Sequence, residues 1–217
     1  MVTVKLHGMP YSACVHRVWT TAQEIGVNIE LISVDLAKVE HKAPEYIENY
    51  HPFGVIPALV DEDGTKIFES RAICRYLVAK YAKGSPLLPD PTGGLKTYGL
   101  FEQAASIEYS IFDPPASTIT YERIVRPMRA ETPDQELIKK CTDTLIAKMD
   151  GYERILSKQK YLAGDTFTLA DLFHLPYCQI ISVIEPQIIN SKPHVKAWWD
   201  DISSRDSWKI TLKFSGH

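Results

Sequence analysis

The chain has 217 residues, of which 45% are hydrophobic, and a formal net charge of -3. That length buries a full core as one large domain or two small ones, and the near-neutral charge leaves no basic excess to hold a nucleic-acid backbone. The opening "MVTVKLHG" carries Lys5 and His7 and no apolar run before a cleavage site, and no stretch reaches the roughly 18 apolar residues of a membrane span, so the expectation is a cytoplasmic protein with neither a membrane nor a nucleic-acid partner.

Val2, Val4 and Leu6 alternate along "VTVKLHG" and predict a strand. Val15, Val18, Trp19, Ala22 and Ile25 then recur at helical spacing, with Arg17, Gln23 and Glu24 on the other face and Gly26 as a C-terminal stop. Asn28 to Leu36 is dense in β-branched and apolar residues and predicts a second strand that closes a βαβ unit. A polar segment, Ala37 to Tyr50, follows. Two apolar runs then flank Asp63-Gly64 as a hairpin, and after Ser70 "RAICRYLVAKY" returns to helical composition.

The stretch "KGSPLLPDPTGG" breaks any regular element and marks a domain boundary. The expected division is a first domain over 1–83, a linker over 84–91 and a second domain over 92–217. Beyond the linker all periodicity is helical. Leu137, Cys141, Leu145, Met149, Tyr152 and Leu156 define one face of a helix from about Pro133 to Ser157, and Val195, Trp198, Trp199 and Ile202 define a shorter one. Thr168, three residues before Asp171, reads as a capping box at a helix start. The fold class is therefore α/β plus all-α: βαβ-ββα followed by helices.

Chemistry-bearing residues are few. Cys14, Cys74, Cys141 and Cys178 form no C-x-x-C pair and no metal or disulfide framework. The last three read as small buried apolar groups. "GMPYSACVHRVW" places a phenol, an alcohol and a thiol (Tyr11, Ser12 and Cys14) between the first strand and the first helix. Ser70 opens a predicted helix, where its hydroxyl serves equally as a plain cap or as part of an anion site.

Taken together, "GMPYSACVHRV", "EHKAPEYI", "HPFGVIPAL", "IFESRAICRYL", "IFDPPAS" and "YLAGDTFTLADL" make the chain resemble the glutathione S-transferase family, and its phi class in particular, over almost its whole length. The resemblance implies a thioredoxin-like first domain with Pro57 in the cis form, a second domain carrying the electrophile pocket, glutathione as co-substrate and no metal. It places Ser12 at the catalytic serine, which donates a hydrogen bond to the glutathione thiolate and lowers the thiol's pKa without acting as a covalent nucleophile. His41 and Lys42 would hold the glycyl carboxylate, the Ile56 backbone would pair with the cysteinyl unit, and Glu69 and Ser70 would take the γ-glutamyl end.

The resemblance further implies a hydrophobic electrophile in a pocket built from Tyr11, Phe112, Ile119 and Tyr121, with hydroperoxide reduction as a side activity. Cys14 would pack with its side chain turned away from the reacting thiol. Phe53 would insert into the partner subunit of a two-fold homodimer. Two residues depart from the family's usual "NPFGQVP": His51 replaces Asn, and Val55 replaces Gln, removing one side-chain hydrogen bond worth about 0.5–1.5 kcal/mol. A different class of function, a non-catalytic module that keeps this fold for ligand carriage or protein assembly, needs no thiol-activating residue. A thiol reductase would need cysteine at position 12.

Overall fold

Val4 and Leu6 are fully buried while Thr3 and Lys5 face solvent, the period-two pattern of a half-buried strand. This strand, β1 (Thr3–Gly8), belongs to a four-stranded mixed sheet in a computed structural model that describes residues 2–214. β1 runs parallel to β2 (Asn28–Ser33), with Thr3 opposite Asn28 and Gly8 opposite Ser33. On its other edge β1 is antiparallel to β3 (Ala58–Val60), Leu6 facing Leu59, and β3 is antiparallel to β4 (Lys66–Phe68). β2 stops at Ser33, short of the expected Leu36, because β1 offers no further partner. The Val34 N–H closes on Gly8 O at 2.9 Å, and the Asp35 carboxylate then accepts the Ala37 and Lys38 N–H groups to turn the chain.

Between β1 and β2 lies α1 (Ala13–Ile25), started by Ser12 and ended by Gly26 at φ 70°, a left-handed cap that glycine adopts without steric cost. The polar segment after β2 is not a plain loop. It contains a tight 3₁₀ turn, Glu40–Lys42, and a short helix, α2 (Pro44–Asn49), with proline in its first turn. Elements this short are invisible to periodicity. After the hairpin comes α3 (Ser70–Tyr81). Asp61, buried in the hairpin, accepts from Lys80 Nζ at 2.6 Å and from the hydroxyls of Tyr76 and Tyr81, tying β3 to α3.

The chain divides into two compact units. Of the described residues, one takes those up to Leu88 together with Asp206–Phe214; the other is Pro89–Arg205. The second unit is helical: α4 (Leu95–Ile107), a wide π turn at Glu108–Phe112, α5 (Asp113–Thr120), a second π turn at Tyr121–Val125, α6 (Arg126–Met128), α7 (Gln135–Leu156), α8 (Leu169–Leu172), α9 (Leu175–Ile184), α10 (Gln187–Asn190) and α11 (Pro193–Ser203). The first π turn precedes Pro114 and Pro115 of α5, which have no N–H to continue an α-helical ladder.

The long helix, α7, is capped by Asp134 and buries Ile138, Thr142, Leu145, Met149, Tyr152 and Leu156. Leu137 and Cys141, expected on that face, are only half-buried. The buried stripe steps by four and three residues from Ile138, and a polar Thr142 hides one of its members from a hydrophobicity count. The capping box at Thr168 and Asp171 forms, and the buried Asp171 carboxylate also accepts the Leu162 N–H and the Trp198 indole N–H.

The last helix, α12 (Asp206–Phe214), packs with the first unit. Thr211 and Thr20 hydroxyls meet at 2.9 Å, and the Phe214 ring stacks on Trp19 at 3.7 Å. Periodicity cannot show this, since a helix carries no mark of the core it joins. Among the described residues no helix is long and apolar enough to cross a membrane, no group of three His, Cys, Asp or Glu side chains is placed to hold a metal ion, and the cysteines are free thiols.

Candidate functional site

Ser12 sits where the chain leaves the end of β1 and begins α1. Its N–H donates to Met9 O at 3.1 Å, its backbone is extended (φ -79°, ψ 125°), and its carbonyl accepts the His16 N–H. The hydroxyl oxygen accepts from the Val15 N–H at 3.4 Å, a long capping contact. A half-buried hydroxyl therefore stands at the positive end of a helix. Its neighbours point to different surroundings. Tyr11 is 63% exposed, while the Cys14 thiol receives a contact from the Arg17 guanidinium at 3.6 Å.

The two loops expected to hold the middle and the glycyl end of a tripeptide are keyed together. Lys42 Nζ donates to Phe53 O at 3.2 Å, and Gly54, at φ 59°, lies against the His41 carbonyl. His51 is buried. Its backbone N–H reaches Tyr46 O, and its Nδ1 accepts the Phe53 N–H at 3.4 Å, the job that an asparagine side chain does in an Asx turn. The substitution thus keeps the turn. Burial lowers the His51 pKa, opposed by the Glu69 carboxylate and assisted by the Lys42 ammonium.

The Val55 carbonyl accepts the Tyr46 hydroxyl at 2.9 Å, while the Val55 side chain is exposed. Ile56 precedes a cis bond to Pro57. No hydrogen bond engages the Ile56 peptide groups among the described residues, so they form an open edge where an extended backbone can pair. Phe53 is 71% exposed, with its ring edge-on to Phe68 at 6.3 Å.

Glu69 has φ 70° and ψ 107°, an uncommon backbone for a residue with a side chain, and such strain concentrates at ligand sites. It holds an exposed carboxylate immediately before α3. Ser70, the first residue of that helix, is nearly buried, and its Oγ accepts from Arg17 Nη1 at 2.9 Å. Arg17 was expected on an outer face, but the structure buries it completely. Packing of both α3 and α12 on α1 leaves no outer face at that position. The sequence does carry a signal: "VHRVWTTA" (Val15–Ala22) holds one charge in eight residues, the mark of a helix covered on more than one side.

Of the residues expected to line an electrophile pocket, Phe112 and Ile119 require correction. Phe112 is 1% exposed and packs within the helical unit, its ring 4.9 Å from His174 and 6.5 Å from Tyr152. Ile119 is fully buried on α5, which packs against α7 and α9. An apolar residue at helical spacing looks the same whether it faces a ligand or the core. Tyr121, on the second π turn, keeps 39% of its surface exposed.

Known proteins resemble the chain in sequence and in fold. The model of the glutathione S-transferase N-terminal domain matches residues 2–79, and that of the C-terminal domain matches residues 112–206. The chain is 68% identical over 199 residues to glutathione S-transferase PM239X14 of Arabidopsis thaliana, covering 92% of this chain and 91% of that one. Its fold superposes with a TM-score of 0.91 on crystalline glutathione transferase F7 from Populus trichocarpa, at 39% identity over 98% of this chain and 99% of that one. It also superposes, with a TM-score of 0.89 and 32% identity over 98% of each chain, on glutathione S-transferase I from maize in complex with an atrazine glutathione conjugate.

Proposed function

The chain belongs to the glutathione S-transferase family, in its phi class, and from that premise we propose that it joins the sulfur of glutathione to hydrophobic electrophiles with Ser12 as the thiolate-holding residue. The protein is a glutathione transferase with glutathione as its co-substrate. The observation that carries the serine assignment is its position: an Oγ at the positive end of α1 whose O–H donates to no acceptor among the described residues.

Glutathione loses its thiol proton to water, the Ser12 hydroxyl donates to the resulting thiolate, and the sulfur forms its bond to the electrophilic carbon as that carbon's leaving group departs with its bonding electron pair, chloride in the case of a chlorinated nitrobenzene. Free thiol is only a few per cent ionised at pH 7, so full ionisation gains roughly thirty-fold, partly cancelled because nucleophilicity falls with pKa. Positioning of the two reactants supplies the remainder.

The same reading assigns the glycyl carboxylate to His41 and Lys42, the cysteinyl backbone to Ile56 and the γ-glutamyl end to Glu69 and Ser70. It is supported by Lys42 and Gly54 locking the first two loops together. Within the first unit this reading places the glutathione site, with Tyr11 beside Ser12, and within the helical unit it assigns an electrophile contact to Tyr121. Phe53 is assigned to a two-fold homodimer contact, supported by its exposure in a loop with little local core. Free thiols suit a reducing compartment, and we place the protein in the cytoplasm.

The test is a conjugation assay with a chlorinated nitrobenzene beside a glutathione-binding titration. Turnover that follows glutathione saturation is expected. Tight binding with no turnover toward any electrophile would overturn the enzyme reading in favour of ligand carriage.

A further inference from the structure

A fully buried arginine is costly unless its charge is used, and Arg17 is fully buried in α1 beside the first turn of α3. One nitrogen, Nη1, contacts both Ser70 Oγ at 2.9 Å and Cys14 Sγ at 3.6 Å, one partner for each of its two hydrogens. We propose that Arg17 is the positioning residue of the γ-glutamyl subsite, fixing the Ser70 hydroxyl as a donor toward the substrate's carboxylate. The proposal rests on the assignment of Ser70 made above.

The direction of this hydrogen bond follows from chemistry. A guanidinium has five N–H donors and no acceptor, whereas a hydroxyl has one proton and two lone pairs. Arg17 must donate and Ser70 must accept, so one Ser70 lone pair is occupied and its proton is turned away from Arg17. A carboxylate offers only acceptors and needs that proton. Donation into the oxygen also polarises the O–H, which makes it the stronger donor.

The geometry adds a second effect. The buried cation lies next to the N-terminal end of α3, which no side chain caps among the described residues, and its charge has the same sign as the helix end that would attract the carboxylate. Lysine does not reproduce this arrangement, since its ammonium sits on a flexible stem and lacks the rigid guanidinium plane that fixes the two N–H directions of Nη1 toward Ser70 and Cys14. If Arg17 only tied α1 to α3, its loss would lower stability without changing how the enzyme distinguishes the two ends of its substrate.

The experiment compares glutathione with an analogue in which 4-aminobutyrate replaces the γ-glutamyl unit, so that only its α-carboxylate is missing. KM and kcat for both are measured in wild type, Arg17→Met, Arg17→Lys, Ser70→Ala and Arg17→Met with Ser70→Ala, alongside thermal melting. Arg17→Met is expected to raise KM for glutathione roughly five-fold, with kcat little altered, to shrink the preference for glutathione over the analogue, and to add nothing further in the Ser70→Ala background. Arg17→Lys, which retains the charge and tolerates folding better, shrinks the same preference and keeps the proposal testable should Arg17→Met not fold. An unaltered preference in Arg17→Lys, or additive losses in the double variant, overturns the role of Arg17 while Ser70 stands. An unaltered preference in Ser70→Ala overturns the subsite assignment and the proposal with it.

Discussion

A Cβ placed on Gly54 would stand 2.8 Å from the carbonyl oxygen of His41 and 3.0 Å from Lys42 Cδ. The lysine stem can move aside; the His41 backbone cannot without shifting the turn. Gly54 also has φ 59°, where a side chain costs about 1–2 kcal/mol. Gly54→Ala is therefore expected to lower the melting temperature and, by pushing the Phe53–Ile56 loop off the His41–Lys42 turn, to raise KM for glutathione roughly tenfold, about 1.4 kcal/mol of binding. Wild-type values of both would show that the two loops do not depend on this contact.

Ser12→Ala removes the hydroxyl from the start of α1 but only a long capping contact from the fold. Melting and glutathione binding are expected to change little, with turnover at pH 7 falling by up to roughly thirty-fold and the loss shrinking as pH approaches the free thiol's pKa of about 8.5. Cys14→Ser preserves an acceptor for Arg17 and should leave turnover near wild type. A pH–rate profile decides the matter: a deficit in Ser12→Ala that is constant across pH would mean the serine does not act on thiol ionisation.

His51 and His7 are both buried and both have their pKa lowered from the ordinary 6.5, each chiefly by burial. The unfolded chain then binds more protons than the native one just below pH 6.5, so stability is complete above that value and falls as pH drops through the lower native pKa values. At His51 protonation also removes the Nδ1 acceptor that the Phe53 N–H uses. Denaturant unfolding between pH 7.5 and 5 should show declining stability, with a shallower decline in His51→Asn, whose amide accepts the same bond at any pH. An identical pH slope in the two proteins would remove His51 from this account.

Phe53→Ala should weaken self-association and glutathione affinity together, because the loop that carries Phe53 runs directly into Ile56. An apolar ring buried once per subunit of an isologous pair contributes on the order of several kcal/mol to association. Sedimentation over a dilution series measures the first quantity and titration the second. A variant dimer as tight as wild type would sink the assignment.

Order and type of the strands and long helices could be read from the sequence because alternation at Val4 and Leu6 and the repeat through Leu145, Met149, Tyr152 and Leu156 are consequences of burial on one face. α2 escaped because six residues give fewer than two turns of pattern. In the site, Ser70 was readable at a helix start, although Glu69 and not Ser70 takes the capping position, and Ser12 was readable through the family motif that contains it. Arg17 was not, since charge predicts exposure, whereas the packing of α3 and α12 on α1 covers it. Phe112 and Ile119 were misread for the complementary reason: hydrophobicity reports burial but not what does the burying.

The return of α12 to the first unit has a consequence for biosynthesis. The ribosome releases residues up to Leu88 long before Asp206 exists, and at roughly 5–20 residues per second the intervening chain takes on the order of ten seconds to make. Throughout that interval the nascent first unit carries Trp19 and Thr20 without the Phe214 ring and the Thr211 hydroxyl that meet them in the finished fold. A fragment cut at Leu88 is held permanently at that stage, with an apolar flank of α1 open to other chains. The unit that holds the proposed glutathione site thus matures only after the helical one has been synthesised, and chaperone demand during translation should concentrate on its unfinished helix.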